Sequence, residues 1–178
     1  EIYKSKKSTK IRLKKRDKIM CAFHRPGHFE GVLAVINQFL NKFKPKYIFF
    51  GEKDYQQLFL LKKFLRKKFR VNVVSCSTVR DKNNVALSSR NILLNKNDMK
   101  KSSFIANLLL KSKKRIKKRI NEDKDLDNIF FVINDLKNIK IEYLEIRNKF
   151  NLSKNYNKNN FKIFLAYYNN KIRLIDNF

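Results

Sequence analysis

Between Pro26 and Val74 two helix-period segments alternate with two short, unbroken apolar runs. After the Pro26-Gly27 turn, Phe29, Val32, Leu33, Val35, Ile36, Phe39, Leu40 and Phe43 recur at helical spacing, and Pro45 stops the pattern. Tyr47-Ile48-Phe49-Phe50 is apolar without alternation and is closed by Gly51, as expected of a strand buried on both faces. Asp54 stands where it can cap a second helix carrying Leu58, Leu61, Phe64, Leu65 and Phe69, and Val71-Asn72-Val73-Val74 reads as a second buried strand. Helix, strand, helix, strand at this spacing is α/β architecture with a parallel sheet. Ligands of such sheets sit beyond the carboxyl ends of the strands. Gly51 to Gln57 and Ser75 to Asn91 occupy that place.

From about Asn95 the texture changes. Long helices are expected over roughly 96–120 and 125–137, then strands over Ile139 to Ile146, Phe161 to Tyr168 and Lys171 to Ile175. Asn169-Asn170 signals a tight hairpin between the last two, because asparagine tolerates positive φ. This half reads as a small α+β unit with an antiparallel sheet. Residues 4–18 are polar and basic, with one strand-like alternation at Ile11-Arg12-Leu13.

The formal net charge of +28 raises the question of nucleic acid. Lysine and asparagine are abundant in every kind of segment, together with isoleucine and phenylalanine, which is the mark of an AT-rich coding sequence. The densest basic run, Lys111 to Arg119, is flanked or interrupted by Phe104, Ile105, Leu108, Leu109, Ile116 and Ile120 at helical spacing. That describes an amphipathic helix with a solvated basic face, so no nucleic-acid partner is expected. Cys21 and Cys76 have no metal-like spacing and read as buried or half-buried thiols of a reducing compartment. No apolar run approaches a membrane span, so a soluble, cytoplasmic protein with no membrane partner is expected.

Three segments carry chemistry. In Gly51-Glu52-Lys53-Asp54-Tyr55-Gln56-Gln57 the glycine admits a ligand close to the backbone, Lys53 offers a point charge to phosphate oxygens, and Asp54 can accept from ribose hydroxyls. Gln57, one turn later, offers a donor and an acceptor. A plain strand–loop–helix connection would use the same residues. In Thr78-Val79-Arg80-Asp81 and Leu87-Ser88-Ser89-Arg90-Asn91, two hydroxyls beside a guanidinium suit a polyphosphate, although a serine-capped helix start would look alike. His24-Arg25-Pro26-Gly27-His28-Phe29 sets a turn at a helix head, and no catalytic role is assigned to His28.

Together these segments resemble the pantothenate synthetase (pantoate–β-alanine ligase) family. Its Arg-Pro-Gly-His-Phe-x-Gly-Val run stands at Arg25 to Val32, and its Phe-Gly-Glu-Lys-Asp-Tyr-Gln-Gln-Leu at Phe50 to Leu58. Its Leu-Ser-Ser-Arg-Asn stands at Leu87 to Asn91, and its closing Arg-Leu-Ile-Asp-Asn at Arg173 to Asn177. The resemblance implies a truncated Rossmann-like nucleotidyltransferase domain, binding ATP and pantoate, over 1–80, and a small α+β lid domain over 81–178. It implies an ATP-dependent ligase that uses Mg2+ with ATP, adenylates pantoate, passes the acyl group to β-alanine, and assembles as a homodimer. Carried over by position, Gly51, Glu52, Lys53, Asp54, Val79, Leu87, Ser88, Ser89 and Arg90 would bind ATP. Lys53, Ser88, Ser89 and Arg90 would lie near the phosphates as catalytic groups, Gln57 would hold pantoate, and no residue is expected to bind metal. Two other readings are a related nucleotidyltransferase acting on another acid and a basic nucleic-acid-binding module.

The departures from the family pattern are specific. The usual Asp-Gly before Leu-Ser-Ser-Arg is Asn83-Asn84, so a turn normally made by glycine falls to Asn84. The usual Pro before Thr-Val-Arg is Ser77, and one residue is missing in the connection after Gln57. The family's N-terminal third, with its His-x-Gly-His signature, is not in this sequence. The expectation is therefore of the C-terminal two-thirds, exposing apolar surface near Phe49, binding ATP weakly and making no pantothenate alone.

Overall fold

The computed structural model describes residues 11–118 and 122–178. The chain divides into two compact units, Glu1–Ser77 and Thr78–Phe178.

In the first unit, α2 (His28–Phe43) precedes β1 (Tyr47–Gly51), and α3 (Tyr55–Lys68) connects β1 to β2 (Asn72–Cys76). The strands pair in parallel, Tyr47 opposite Asn72 through Gly51 opposite Cys76, so β1, α3 and β2 form one βαβ crossover. Leu33 and Leu40 of α2 and Leu61 and Leu65 of α3 form the core, with Ile48, Phe50, Val71 and Val73 packed against it. Full burial of side chains such as Leu61 and Leu65 stabilises the unit by about 1.5–3 kcal/mol each. Both helices thus cover one face of the sheet. This corrects the expectation of strands buried on both faces: Tyr47 and Phe49 point the other way and are 50% and 66% exposed. The exposure of Phe49 agrees with the expectation of apolar surface there.

The short helix α1 (Met20–His24) and a 3-10 turn at Lys15–Asp17 precede α2. Ile11 to Leu13 is not a strand. Ile11 and Leu13 turn inward onto the core of this unit, but no neighbouring strand pairs with them among the described residues. The rest of the basic segment from Lys4 to Lys10 lies outside the described residues. Cys21 is buried as expected, whereas Cys76 is exposed, because it ends β2 opposite Gly51.

In the second unit, α4 (Lys96–Lys118) and α5 (Glu122–Asn134) accompany a sheet of β3 (Ile139–Asn148), β4 (Phe161–Asn169) and β5 (Ile172–Asn177), antiparallel in the order β3-β4-β5. Ile105, Leu109 and Ile116 of α4 meet Ile129 and Ile133 of α5 and Ile163, Leu165 and Tyr167 of β4 in one core. Lys111, Lys114, Arg115, Lys117 and Lys118 are exposed on the other side of α4, as the amphipathic reading requires. Phe104 departs from that reading and is exposed; Arg119 and Ile120 lie outside the described residues. The β4–β5 turn places Asn170 at φ 54°, so the hairpin signal is met one residue later than the Asn169-Asn170 pair suggests. Asn169 instead closes β4, fully buried, with its side-chain amide donating to the Asp98 carbonyl and to Ser102 Oγ.

Candidate functional site

The first group of candidate residues sits on one turn. Gly51 ends β1, Glu52–Asp54 form a 3-10 turn, and α3 begins at Tyr55. This puts Gly51, Glu52, Lys53 and Asp54 together at the carboxyl end of the parallel strands, the place such sheets reserve for ligands. Gly51 has open space where a Cβ would stand, so its backbone can be approached. Lys53 Nζ lies 3.8 Å from Asp54 Oδ2, a loose pair whose carboxylate side is half exposed. Asp54 holds the N-cap position of α3, but its side chain makes no capping hydrogen bond, which corrects the sequence expectation. Its φ of −95° and ψ of 56° are those of no regular structure, since the 3-10 turn runs directly into the helix.

Gln56 and Gln57 are adjacent but face different surroundings. Gln56 is buried: its Oε1 accepts from the Ala22 backbone N–H at 3.3 Å, and its Nε2 donates to the carbonyls of Ile19 at 2.8 Å and Asp17 at 3.3 Å. It therefore fastens α1 and the preceding segment to α3. Lys63, on the same helix, grips both carboxylate oxygens of the buried Asp17 at 2.6 and 2.7 Å. Gln57 is half-buried and has no hydrogen-bond partner among the described residues, so its amide remains able to meet a ligand. Gln57 stands out in the sequence by its place one turn after Lys53, whereas Gln56 does not. The available signal was that Gln56 stands four residues before Leu60 on the inward stripe of α3. Burial, reinforced by the Glu52 carboxylate, pushes the Tyr55 phenol upward.

At the head of α2, Arg25 Nη2 lies 3.1 Å from His28 Nδ1. A guanidinium only donates, so in this contact Nδ1 is the acceptor. Gly27, at φ 79°, makes the turn that brings the two side chains together.

The second group lies in the other unit. Residues 79–87 form a tight hairpin: Arg80 and Ala86 bridge in antiparallel fashion, the Leu87 N–H donates to the Val79 carbonyl at 2.9 Å, and the Asp81 N–H to the Val85 carbonyl at 2.9 Å. The structure thus brings Val79 and Leu87 side by side on its outer face, 66% and 51% exposed, while Ala86 is buried. Asn84 turns the chain at φ 68°, taking the left-handed place as expected, and Asp81 Oδ1 accepts from the N–H groups of Asn83 and Val85 at 2.9 and 2.8 Å. Ser88 caps the following 3-10 turn, Ser89–Leu93, its Oγ accepting from the Arg90 N–H at 3.2 Å. Ser89 and Arg90 are exposed, and Arg90 Nη1 donates to the Arg173 carbonyl at 2.9 Å, which orients the guanidinium. The group so assembled is two hydroxyls, a cation and an apolar pair, a donor set suited to a nucleotide and its phosphates.

The model of the family "Pantoate-beta-alanine ligase" matches residues 1–178. A pantothenate synthetase of Clostridium botulinum is 35% identical over 184 aligned residues, covering 100% of this chain and 64% of that protein. The crystal structure of pantothenate synthetase from Thermus thermophilus superposes with a TM-score of 0.90 at 28% identity, covering 99% of this chain and 65% of that one. The pantoate-beta-alanine ligase of Francisella tularensis, solved with Beta-gamma ATP and Beta-alanine, matches with a TM-score of 0.73 at 31% identity, over 94% of this chain and 57% of that one. The chain thus spans less than two-thirds of the length of these relatives. The parallel pair with its helices and the separate antiparallel sheet match the fold of those enzymes. With the family pattern running from its first residue to its last, this chain belongs to the pantoate-beta-alanine ligase family.

Proposed function

We propose that this chain serves the ATP-dependent condensation of pantoate with β-alanine. The observation that carries the reading is the family match along all 178 residues, with the Gly51–Gln57 segment leaving a parallel strand where a ligand belongs. A pantoate carboxylate oxygen attacks the α-phosphorus of ATP, the bond to the bridging oxygen breaks, and pyrophosphate leaves. The β-alanine amine then attacks the acyl carbonyl, loses a proton, and displaces AMP.

In this proposal Gly51, Glu52, Asp54, Val79 and Leu87 hold the nucleotide, and Gln57 holds pantoate through its amide. Lys53, Ser88, Ser89 and Arg90 offset the charge that develops on the phosphates, since fixed cations and donors act most strongly where charge grows. Among the described residues no three His, Cys, Asp or Glu side chains group to hold a metal. The phosphate-facing set of Lys53, Ser88, Ser89 and Arg90 is cationic or neutral, which suits phosphate oxygens, and Mg2+ would come with the nucleotide. The proposal includes homodimeric assembly, a cytoplasmic location and no nucleic-acid partner; the basic side chains of α4 form a solvated face. No helix among the described residues is long and apolar enough to cross a membrane.

The test is pyrophosphate release by the full-length gene product supplied with ATP, with and without pantoate. Release that requires pantoate, and pantothenate formed once β-alanine is added, is expected. Release that responds to another acid and never to pantoate would overturn the substrate assignment. Tight, sequence-selective nucleic-acid binding near physiological salt would overturn the solvated-face reading of α4.

A further inference from the structure

The closing motif Arg173-Leu174-Ile175-Asp176-Asn177 has no part in the assignments above, yet both arms of the second residue group rest on it. Arg80 Nη1 and Nη2 grip Asp176 Oδ2 and Oδ1, both at 2.8 Å, in a two-pronged pair. The same guanidinium donates to the Asn84 carbonyl at 2.8 Å and to the Asn177 carbonyl at 3.1 Å, and it lies 4.3 Å from the centre of the Phe178 ring. The pair is largely shielded, with side-chain exposures of 19% for Arg80 and 11% for Asp176. Ten residues on, Arg90 is tied to the Arg173 carbonyl. Strand β5 therefore anchors the segment at Arg80 and at Arg90.

Side chains alternate across a two-stranded ladder, so a hairpin anchored through Arg80 on its inner face has its outer face, with Val79 and Leu87, set by that anchor. The bond to the Asn84 carbonyl also holds the turn, joining the base and tip of the hairpin through one side chain. We propose that Asp176 is a positioning residue for the nucleotide: through Arg80 it fixes the hairpin that presents Val79 and Leu87. This rests on the assignment of Val79 and Leu87 to ATP. The carboxylate touches neither substrate nor reacting atoms. Its effect is expected on nucleotide affinity, with pantoate recognition at Gln57 left unchanged.

The experiment uses the full-length protein and its Asp176→Asn, Arg80→Lys and double variants. Direct binding of a non-hydrolysable ATP analogue is followed by calorimetry, alongside KM values for ATP and pantoate and a thermal melt. Asp176→Asn keeps the shape and loses the charge, and Arg80→Lys keeps the charge and loses the fork. Each is expected to weaken analogue binding about tenfold, within the usual range of coupling between sites, with the KM for pantoate unchanged. The double variant should be no weaker than the poorer single one, because both remove the same strut. Wild-type affinity in a folded Asp176→Asn protein overturns the proposal, as does an equal rise in both KM values, which marks a merely structural loss. If Asp176→Asn does not fold, Arg80→Lys decides by the same criteria. Failure of the wild-type protein itself to bind the analogue overturns the underlying ATP assignment, and this proposal with it.

Discussion

Lys53 and Gln57, proposed above to meet ligand, follow a parallel strand and carry the chemistry that phosphate and pantoate would need. Lys53→Ala is expected to raise the barrier to adenylation by about 2–4 kcal/mol, the loss typical of one electrostatic donor. Single-turnover pyrophosphate release by the full-length protein measures this, and a near-normal rate removes Lys53 from the catalytic set. The two neighbouring glutamines separate by role. Gln56→Ala strands the buried carbonyl of Asp17 and removes one of three donors to the Ile19 carbonyl, and should cost about 1–3 kcal/mol of stability in denaturant unfolding. Gln57→Ala should leave stability unchanged and raise the KM for pantoate. The opposite assignment of effects would reverse the roles drawn from burial. Gln56 escaped the sequence because a glutamine within a polar motif looks like its neighbour until its partners, 34 to 39 residues away, are known.

The elements followed from periodicity where one face is apolar: α2, α3, α4 and the strands of the second unit lie within a few residues of their expected spans. Asparagine proved as informative as glycine. The chain has three glycines, and Asn84, Asn138 and Asn170 take left-handed turns where glycine is the usual residue. Packing of α4 on β4 carries a pH consequence that no pattern announces. Burial, with a smaller push from Asp176, moves the Tyr167 phenol up to about 12, against the pull of its hydrogen bond with Ser102. The folded state therefore keeps this proton at a pH where the unfolded chain, near 10, has lost it. The contribution is complete below pH 10 and falls as pH rises to about 12, by about 1.4 kcal/mol per unit. Unfolding midpoints across that range should decline less steeply in Tyr167→Phe. An identical slope would show that Tyr167 does not govern alkaline stability.

For the molecule as a whole, 43 basic residues stand against 15 acidic ones, and repulsion among exposed lysines opposes folding. Salt screens exposed charges beyond about 10 Å at 0.1 M, while shielded pairs such as Arg80–Asp176 and Lys63–Asp17 are weakened less. The thermal midpoint should therefore rise with sodium chloride; a fall would mean that ion pairing outweighs the repulsion. The same imbalance explains where the scarce carboxylates count: Asp17 and Asp176 are shielded and doubly held by a cation, a pairing that composition could not assign. The sequence by itself determined the element order from α2 onward, the parallel and antiparallel halves and the family, because these rest on spacing within short windows and on contiguous motifs. Only the tertiary structure decided which face of β1 is covered, that Gln56 holds α1, and that Asp176 meets Arg80 across 96 residues. Those outcomes depend on which distant groups arrive at one place, and local periodicity carries no information about that arrival.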